Sequence, residues 1–215
     1  YGVETIGVQA FYMCKKLNTI ELPDSVKSIG HWAFYDTGCY NDWEDSDDDV
    51  LYIGNHFISA YQGKSTPCDI KAGTKTIADY AFFACRDLPC ITIPDSVESI
   101  GNHAFESSNS LTNITIPKSV TSIGSCAFLK CSKLTSITIP DGVAEIGERT
   151  FYQCRRLASI TIPNSVLIIG KEAFEECPKS MKVNYIGSEA DWEMVIGDGK
   201  YVLTYADISY LSGIS

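Results

Sequence analysis

Apolar positions recur through the chain at fixed ranks. Leucine stands at 88, 111, 134 and 157, a constant step of 23 residues. Three places on come Ile91, Ile114, Ile137 and Ile160, and two further on Ile93, Ile116, Ile139 and Ile162. A threonine separates each isoleucine pair, so the alternation is that of a half-buried strand. Both isoleucines face one way, and Thr92, Thr115, Thr138 and Thr161 face the other. Pro94 and its copies at 117, 140 and 163 end each strand, because proline cannot donate to a ladder. Val97 and Ile100 follow, then a glycine rank (Gly101, Gly124, Gly147, Gly170) that calls for φ > 0 or close backbone approach. Ala104-Phe105 and its copies read as a helical turn that lays a ring on the strand face.

Four such units run from Leu88 to Lys179 without a gap. A fixed period in this range predicts a stacked array, in which no unit buries its apolar face alone. One strand per unit is expected, with rungs at Ile20, Leu51, Ile70, Ile91, Ile114, Ile137, Ile160 and Val183. Leu17 to Thr37 is a further full unit, and Val3 to Cys14 matches the second half of one, so the chain reads as cut from a longer protein. The period breaks after Thr37. A polar, acidic loop is expected from Gly38 to Asp49, followed by a hairpin with Gly54-Asn55 at its turn. Its first arm, Leu51 to Ile53, is expected to enter the stack, with the second arm projecting from it. Lys71 and Ala78 replace the proline and glycine of the next, degenerate unit. At the far end Ser188-Glu189-Ala190-Asp191 has the form of a capping box opening a short helix, with Trp192 inward. Ala206 to Tyr210 is expected to close the sheet.

The 23-residue unit, with Ile-Pro after the strand and Ile-Gly-x-x-Ala-Phe on the return, resembles the BspA-type leucine-rich repeat. The resemblance covers nearly the whole chain, and the Leu-Tyr-Ile-Gly-Asn hairpin is similar to hairpins of related proteins. It implies an α/β leucine-rich-repeat solenoid: a curved parallel β-sheet on the concave side, and short helical or irregular return segments on the convex side. Residues 1–179 are the repeats, with a half repeat at 1–16 and a hairpin insertion at about 38–66; residues 180–215 are the C-terminal cap.

Composition narrows the function. The chain has 215 residues, 45% of them hydrophobic, and a net charge of −10. That acidity argues against nucleic acid and against an anionic membrane surface. No apolar run approaches the ~18 residues of a membrane span. Five of the nine cysteines (Cys14, Cys85, Cys131, Cys154, Cys177) share one rank and read as a column of small buried thiols. His103 and Cys126 stand on adjacent rungs, with Arg149 and Glu172 continuing the column, an arrangement that lowers a thiol's pKa where the thiol is solvated. The column also holds Gln9, Trp32 and Tyr80, so chance explains it better. Asp45, Asp47 and Asp49 alternate as in a calcium loop, but the turn glycine and distal glutamate are missing. A solvated loop is the expectation. No catalytic residue, metal or cofactor is expected.

The implied function is a bacterial surface or secreted binding module of the adhesion type, monomeric and not inserted in a membrane. Its partner would be a protein or glycan ligand, host-derived ones included. The rival is a structural spacer presenting other domains, and an exposed aromatic or apolar patch is what distinguishes the two. Candidate contacts are Thr92, Thr115, Thr138, Thr161, Asn113, Ser136 and Ser159 on the threonine face, and Trp43, Phe57 and Tyr61 on the insertion.

Overall fold

The computed structural model describes residues 2–63 and 65–211. It is a solenoid of parallel strands with little helix. Along the threonine face, Ser136–Thr138, Ser159–Pro163, Lys182–Ile186 and Asp207–Tyr210 form one parallel sheet, each strand one repeat further along. The pairs Ser136↔Ser159, Ile137↔Ile160 and Thr138↔Thr161 carry the sequence period into the hydrogen-bond register. Cys68–Asp69 pairs with Ile91–Thr92 in the same sense, and Asn113 bridges to Ser136. Ile91 and Ile93 are both 7% exposed, whereas Thr92, Thr115 and Thr138 face solvent. The assignment of faces therefore holds.

A second ladder runs along the opposite side of the coil. It joins the isoleucines just before the glycine rank: Thr76–Ile77, Ser99–Ile100 and Ser122–Ile123 in one set, Glu145–Ile146 and Ile168–Ile169 in another. Two residues per strand leave no period-2 pattern to read, so the sequence did not announce it.

The interior is a set of columns. Phe82, Phe105, Phe128, Phe151 and Phe174 are fully buried and stacked, with successive ring centroids 5.2, 5.2, 5.5 and 5.4 Å apart. The return segments are successive turns and not helix. In the unit from Leu111 to Lys133 the Ala127 amide donates to the Gly124 carbonyl and the Cys131 amide to the Phe128 carbonyl. Positive φ falls on Cys126 (58°) and Lys130 (61°) and on their counterparts in other units, not on the rank of Gly101, Gly124, Gly147 and Gly170. A left-handed residue other than glycine costs about 1–2 kcal/mol. Amide-to-carbonyl bonds between rungs offset it, as in His103 to Ser125, Phe105 to Ala127 and Ser107 to Leu129. Gly124 instead answers to close approach: a Cβ there would lie 2.4 Å from the Asn102 nitrogen.

The cysteine rank has a use beyond packing. Cys131, Cys154 and Cys177 direct Sγ at the carbonyls of Phe105, Phe128 and Phe151 in the preceding rung, at 3.1–3.2 Å. Ser108 makes the same bond to Phe82 with its hydroxyl, so the rank calls for a small donor. Cys14 departs from the expected column by being exposed.

The interruption departs most from expectation. Gly38–Glu44 is a helix and not a loop, with Thr37 as N-cap accepting from the Tyr40 amide. The expected strand at Ile20 is absent, since residues 17–27 are irregular. The helix accounts for this: the Cys39 amide takes the Leu17 carbonyl, and helix stands where the next strand would have paired. The hairpin arms Val50–Ile53 and His56–Ala60 also reverse their expected roles. The second arm joins the ladder, pairing parallel with Thr76–Ile77, and the first arm lies antiparallel outside it. Phe57 stacks on Phe82 at 4.5 Å and extends the main core, while Ile58, one residue on, belongs to a separate cluster with Ile6, Val26, Ile29 and Phe34. The hairpin is thus a wedge between two stacks. Beyond the last full unit, Glu189–Met194 is a helix with the expected Ser188–Asp191 capping box, and buried Trp192 packs on Tyr185.

Candidate functional site

The two stacks meet at a groove of ≈ 1160 Å³. Two stretches of sequence, 29–49 and 58–83, build it. The return turns of the second unit bring His31, Trp32 and Tyr35, the inserted helix brings Tyr40 and Trp43, and the turn after the hairpin brings Tyr80 and Phe83. Trp32 and Tyr80 hold the left-handed rank of their units, with φ of 57° and 59°.

The rings form an unbroken chain of contacts. Trp43 meets Tyr40 at 5.3 Å, Tyr40 meets Tyr35 at 5.1 Å and Tyr35 meets Trp32 at 5.8 Å. Trp32 meets His31 at 4.3 Å, His31 meets Tyr80 at 4.0 Å and Tyr80 meets His103 at 4.4 Å. One end of the chain is packed, because Tyr40 and Trp43 lie against the N-terminal cluster. The middle is open: Trp32 is 47% exposed and Tyr35 38%. Tyr61, across the groove, is 61% exposed.

Carboxylates surround the rings. Glu44, Asp45, Asp47, Asp48, Asp49 and Asp79 line the groove, and among the described residues no lysine or arginine does. Burial raises the pKa of Asp79 and lowers that of His31 beside it. Burial and then Glu44 push the Tyr40 hydroxyl up to about 12, so it stays protonated. Asp36 anchors the helix, accepting from Asn41 at 3.0 Å and pairing with Lys15 at 3.2 Å.

The residues singled out from sequence divide. Phe57 is fully buried and cannot touch a partner; packing in the wedge is its task. Trp43 is half-buried at the groove wall, and its Nε1 has no hydrogen-bond partner. Tyr61 alone of the three is freely exposed. Thr92, Thr115, Asn113, Ser136 and Thr138 are exposed on the strand face, with Ser159 and Thr161 partly covered. They lie in register with one another but away from the groove lining. The thiol–histidine column has no activated thiol: Cys126 is 8% exposed, and burial, then Glu106 and Glu148, raise its pKa. His103 is engaged with Glu106 at 2.6 Å. Among the described residues no three of His, Cys, Asp and Glu gather as metal ligands. Likewise no described helix is long and apolar enough to cross a membrane. Sequence reading missed Trp32, Tyr35 and Tyr80. The available signal was two aromatics in an otherwise variable rank.

The hairpin behind the groove is sensitive to acid. His56 is fully buried, with Nε2 on the Pro23 carbonyl at 3.2 Å and Nδ1 without a partner. Burial holds its pKa below the ordinary 6.5, the pull of Asp24 notwithstanding. The unfolded chain therefore binds this proton more tightly. The contribution to stability is complete above about pH 6.5 and falls as the pH drops through that value. Between pH 7.5 and 5.5 the thermal midpoint of the wild type should decline more steeply than that of His56→Gln. Parallel declines would assign the acid sensitivity elsewhere.

Solved structures of bacterial leucine-rich repeat proteins are similar to this chain. A leucine-rich repeat protein from Eubacterium ventriosum aligns over 97% of this chain and 68% of its own, at 23% identity and a TM-score of 0.52. A T. pallidum leucine-rich repeat protein aligns over 99% and 80%, at 22% identity and a TM-score of 0.49. A leucine-rich cell surface protein from Faecalibacterium prausnitzii aligns over 90% and 79%, at 22% identity and a TM-score of 0.30. No curated protein matches the chain. The family model for the BspA-type leucine-rich repeat region matches residues 1–61 and 52–182, in six copies. With the 23-residue register seen in both ladders, the chain belongs to the BspA-type leucine-rich repeat family.

Proposed function

We propose that this chain is a binding module of a bacterial surface or secreted protein, and that it contacts a protein or glycan partner without catalysis. The observation that carries the reading is the open aromatic strip at the junction, with Trp32 and Tyr35 at its centre. Exposed aromatics in a contiguous patch are the anchors from which interfaces draw most of their energy. A spacer has no use for them. The insertion also sits where function concentrates, at an irregular segment held on a rigid scaffold. The clean units favour the spacer reading for their own part, since their strand face offers Thr, Ser and Asn and no aromatic anchor. In the combined picture the repeats hold the junction in place and the junction makes the contact.

An array of host-matrix proteins and glycans, probed with the purified chain, tests this. Wild-type protein should bind at least one of them. Trp32→Ala should lose that binding, while Thr115→Lys/Thr138→Lys should keep it. Binding kept by a folded Trp32→Ala variant and lost on the threonine face would return the contact to that face. Absence of any wild-type binding would leave the spacer.

A further inference from the structure

We infer that the groove accepts a basic peptide segment, with an arginine side chain laid on the exposed rings and held by the carboxylate rim. This rests on the groove being the contact site. Its chemistry is one-sided: aromatic rings and carboxylates line it together, and among the described residues no lysine or arginine does. Lys15, beside the inserted helix, pairs with Asp36 at 3.2 Å. Asp45, Asp47 and Asp48 are exposed, and the whole chain carries −10. An acidic or phosphorylated ligand meets repulsion here. A neutral sugar gains from the rings but makes no use of the charge on Asp45, Asp47 and Asp48. A guanidinium uses both parts, because its flat face stacks on Trp32 and Tyr35 while its edge donates to carboxylates. Arginine suits the site better than lysine, whose compact and strongly hydrated ammonium cannot stack as a plane.

The test titrates the purified full chain with an acetylated, amidated hexa-arginine peptide. A hexa-glutamate peptide and an N-acetylglucosamine oligomer serve as the other ligands, and calorimetry and tryptophan emission as readouts. Saturable binding of the arginine peptide is expected at about 20 mM salt, weaker at about 200 mM as screening shortens the reach of the rim. Trp32→Ala should weaken it about tenfold, the upper range of a cation–ring contact. Asp45→Asn/Asp47→Asn/Asp48→Asn should weaken it to a similar extent. Tyr61→Ser, at a site 61% exposed, is a second variant whose fold is secure, and it should weaken binding too. Circular dichroism confirms that each variant is folded. Absence of saturable arginine binding overturns the inference. So does binding that the rim variant reduces and both ring variants leave unchanged, since that is diffuse charge attraction. Binding of the neutral oligomer alone, abolished by Trp32→Ala, overturns the basic occupant and leaves the groove as the contact site. If neither ring variant alters binding of any ligand, both readings fall.

Discussion

Phe128→Ala is expected to lower the unfolding free energy by about 3–5 kcal/mol, the range for truncating a large buried ring. Phe128 is fully buried between Phe105 and Phe151, at 5.2 and 5.5 Å. In a linear stack each unit touches only its neighbours. Removing this ring therefore weakens both interfaces of one unit at once, and nothing further along the coil compensates. Thr138→Ala is the matched control. Thr138 is exposed on the strand face and is expected to cost under about 1 kcal/mol, the scale of a strand-propensity change. Urea denaturation followed by circular dichroism separates the two. Equal midpoints would mean that the faces of the repeat have been assigned the wrong way round.

Phe57→Ala should be as costly, about 3–5 kcal/mol, and should change the form of unfolding as well. Phe57 ends the main ring column on Phe82, while Ile58 reaches into the N-terminal cluster. The hairpin joins the two stacks through its core side chains, beside direct bonds such as Thr76 to the Val26 carbonyl and the Asp79 amide to the Ile29 carbonyl. A cavity on its main-core side should let the N-terminal stack melt first, as a separate transition. Trp32 and Trp43 report on that stack and Trp192 on the C-terminal cap, so fluorescence of a Trp192→Phe background isolates the first transition. In the wild type the tryptophan signal and the far-ultraviolet signal should coincide, and in Phe57→Ala they should part. A single unshifted transition in the variant would show that the wedge carries no coupling.

The same residue shows where reading a sequence stops. Phe57 was legible as an aromatic on an irregular insertion, which on general grounds is a contact. Only the folded chain shows that the second hairpin arm, and not the first, enters the ladder, and that this buries Phe57 against Phe82. The first arm is the more apolar, Val-Leu-Tyr-Ile against His-Phe-Ile-Ser-Ala, so composition pointed to the wrong arm. The choice depends on which arm places one side chain in each of two clusters.

The repeat region is the opposite case. Its period, its buried isoleucine and phenylalanine ranks and its exposed threonines were all determined by sequence. Each rung repeats the environment of its neighbour, so a local pattern and a tertiary contact are the same information. The Ser188–Asp191 box was readable for a related reason, since a cap is satisfied within four residues. The groove had no such advantage. Trp32 and Tyr40 come from one stretch and Tyr80 from beyond the hairpin, and they join through His31 and Tyr35, contacts that only the folded chain makes. The inserted helix was hidden in an acidic, aromatic stretch whose apolar face matches only a surface built by the rest of the chain. Periodicity thus specified the scaffold, because stacking is local in a solenoid. Tertiary structure alone decided the candidate site, because it forms where the period fails and distant segments must find one another.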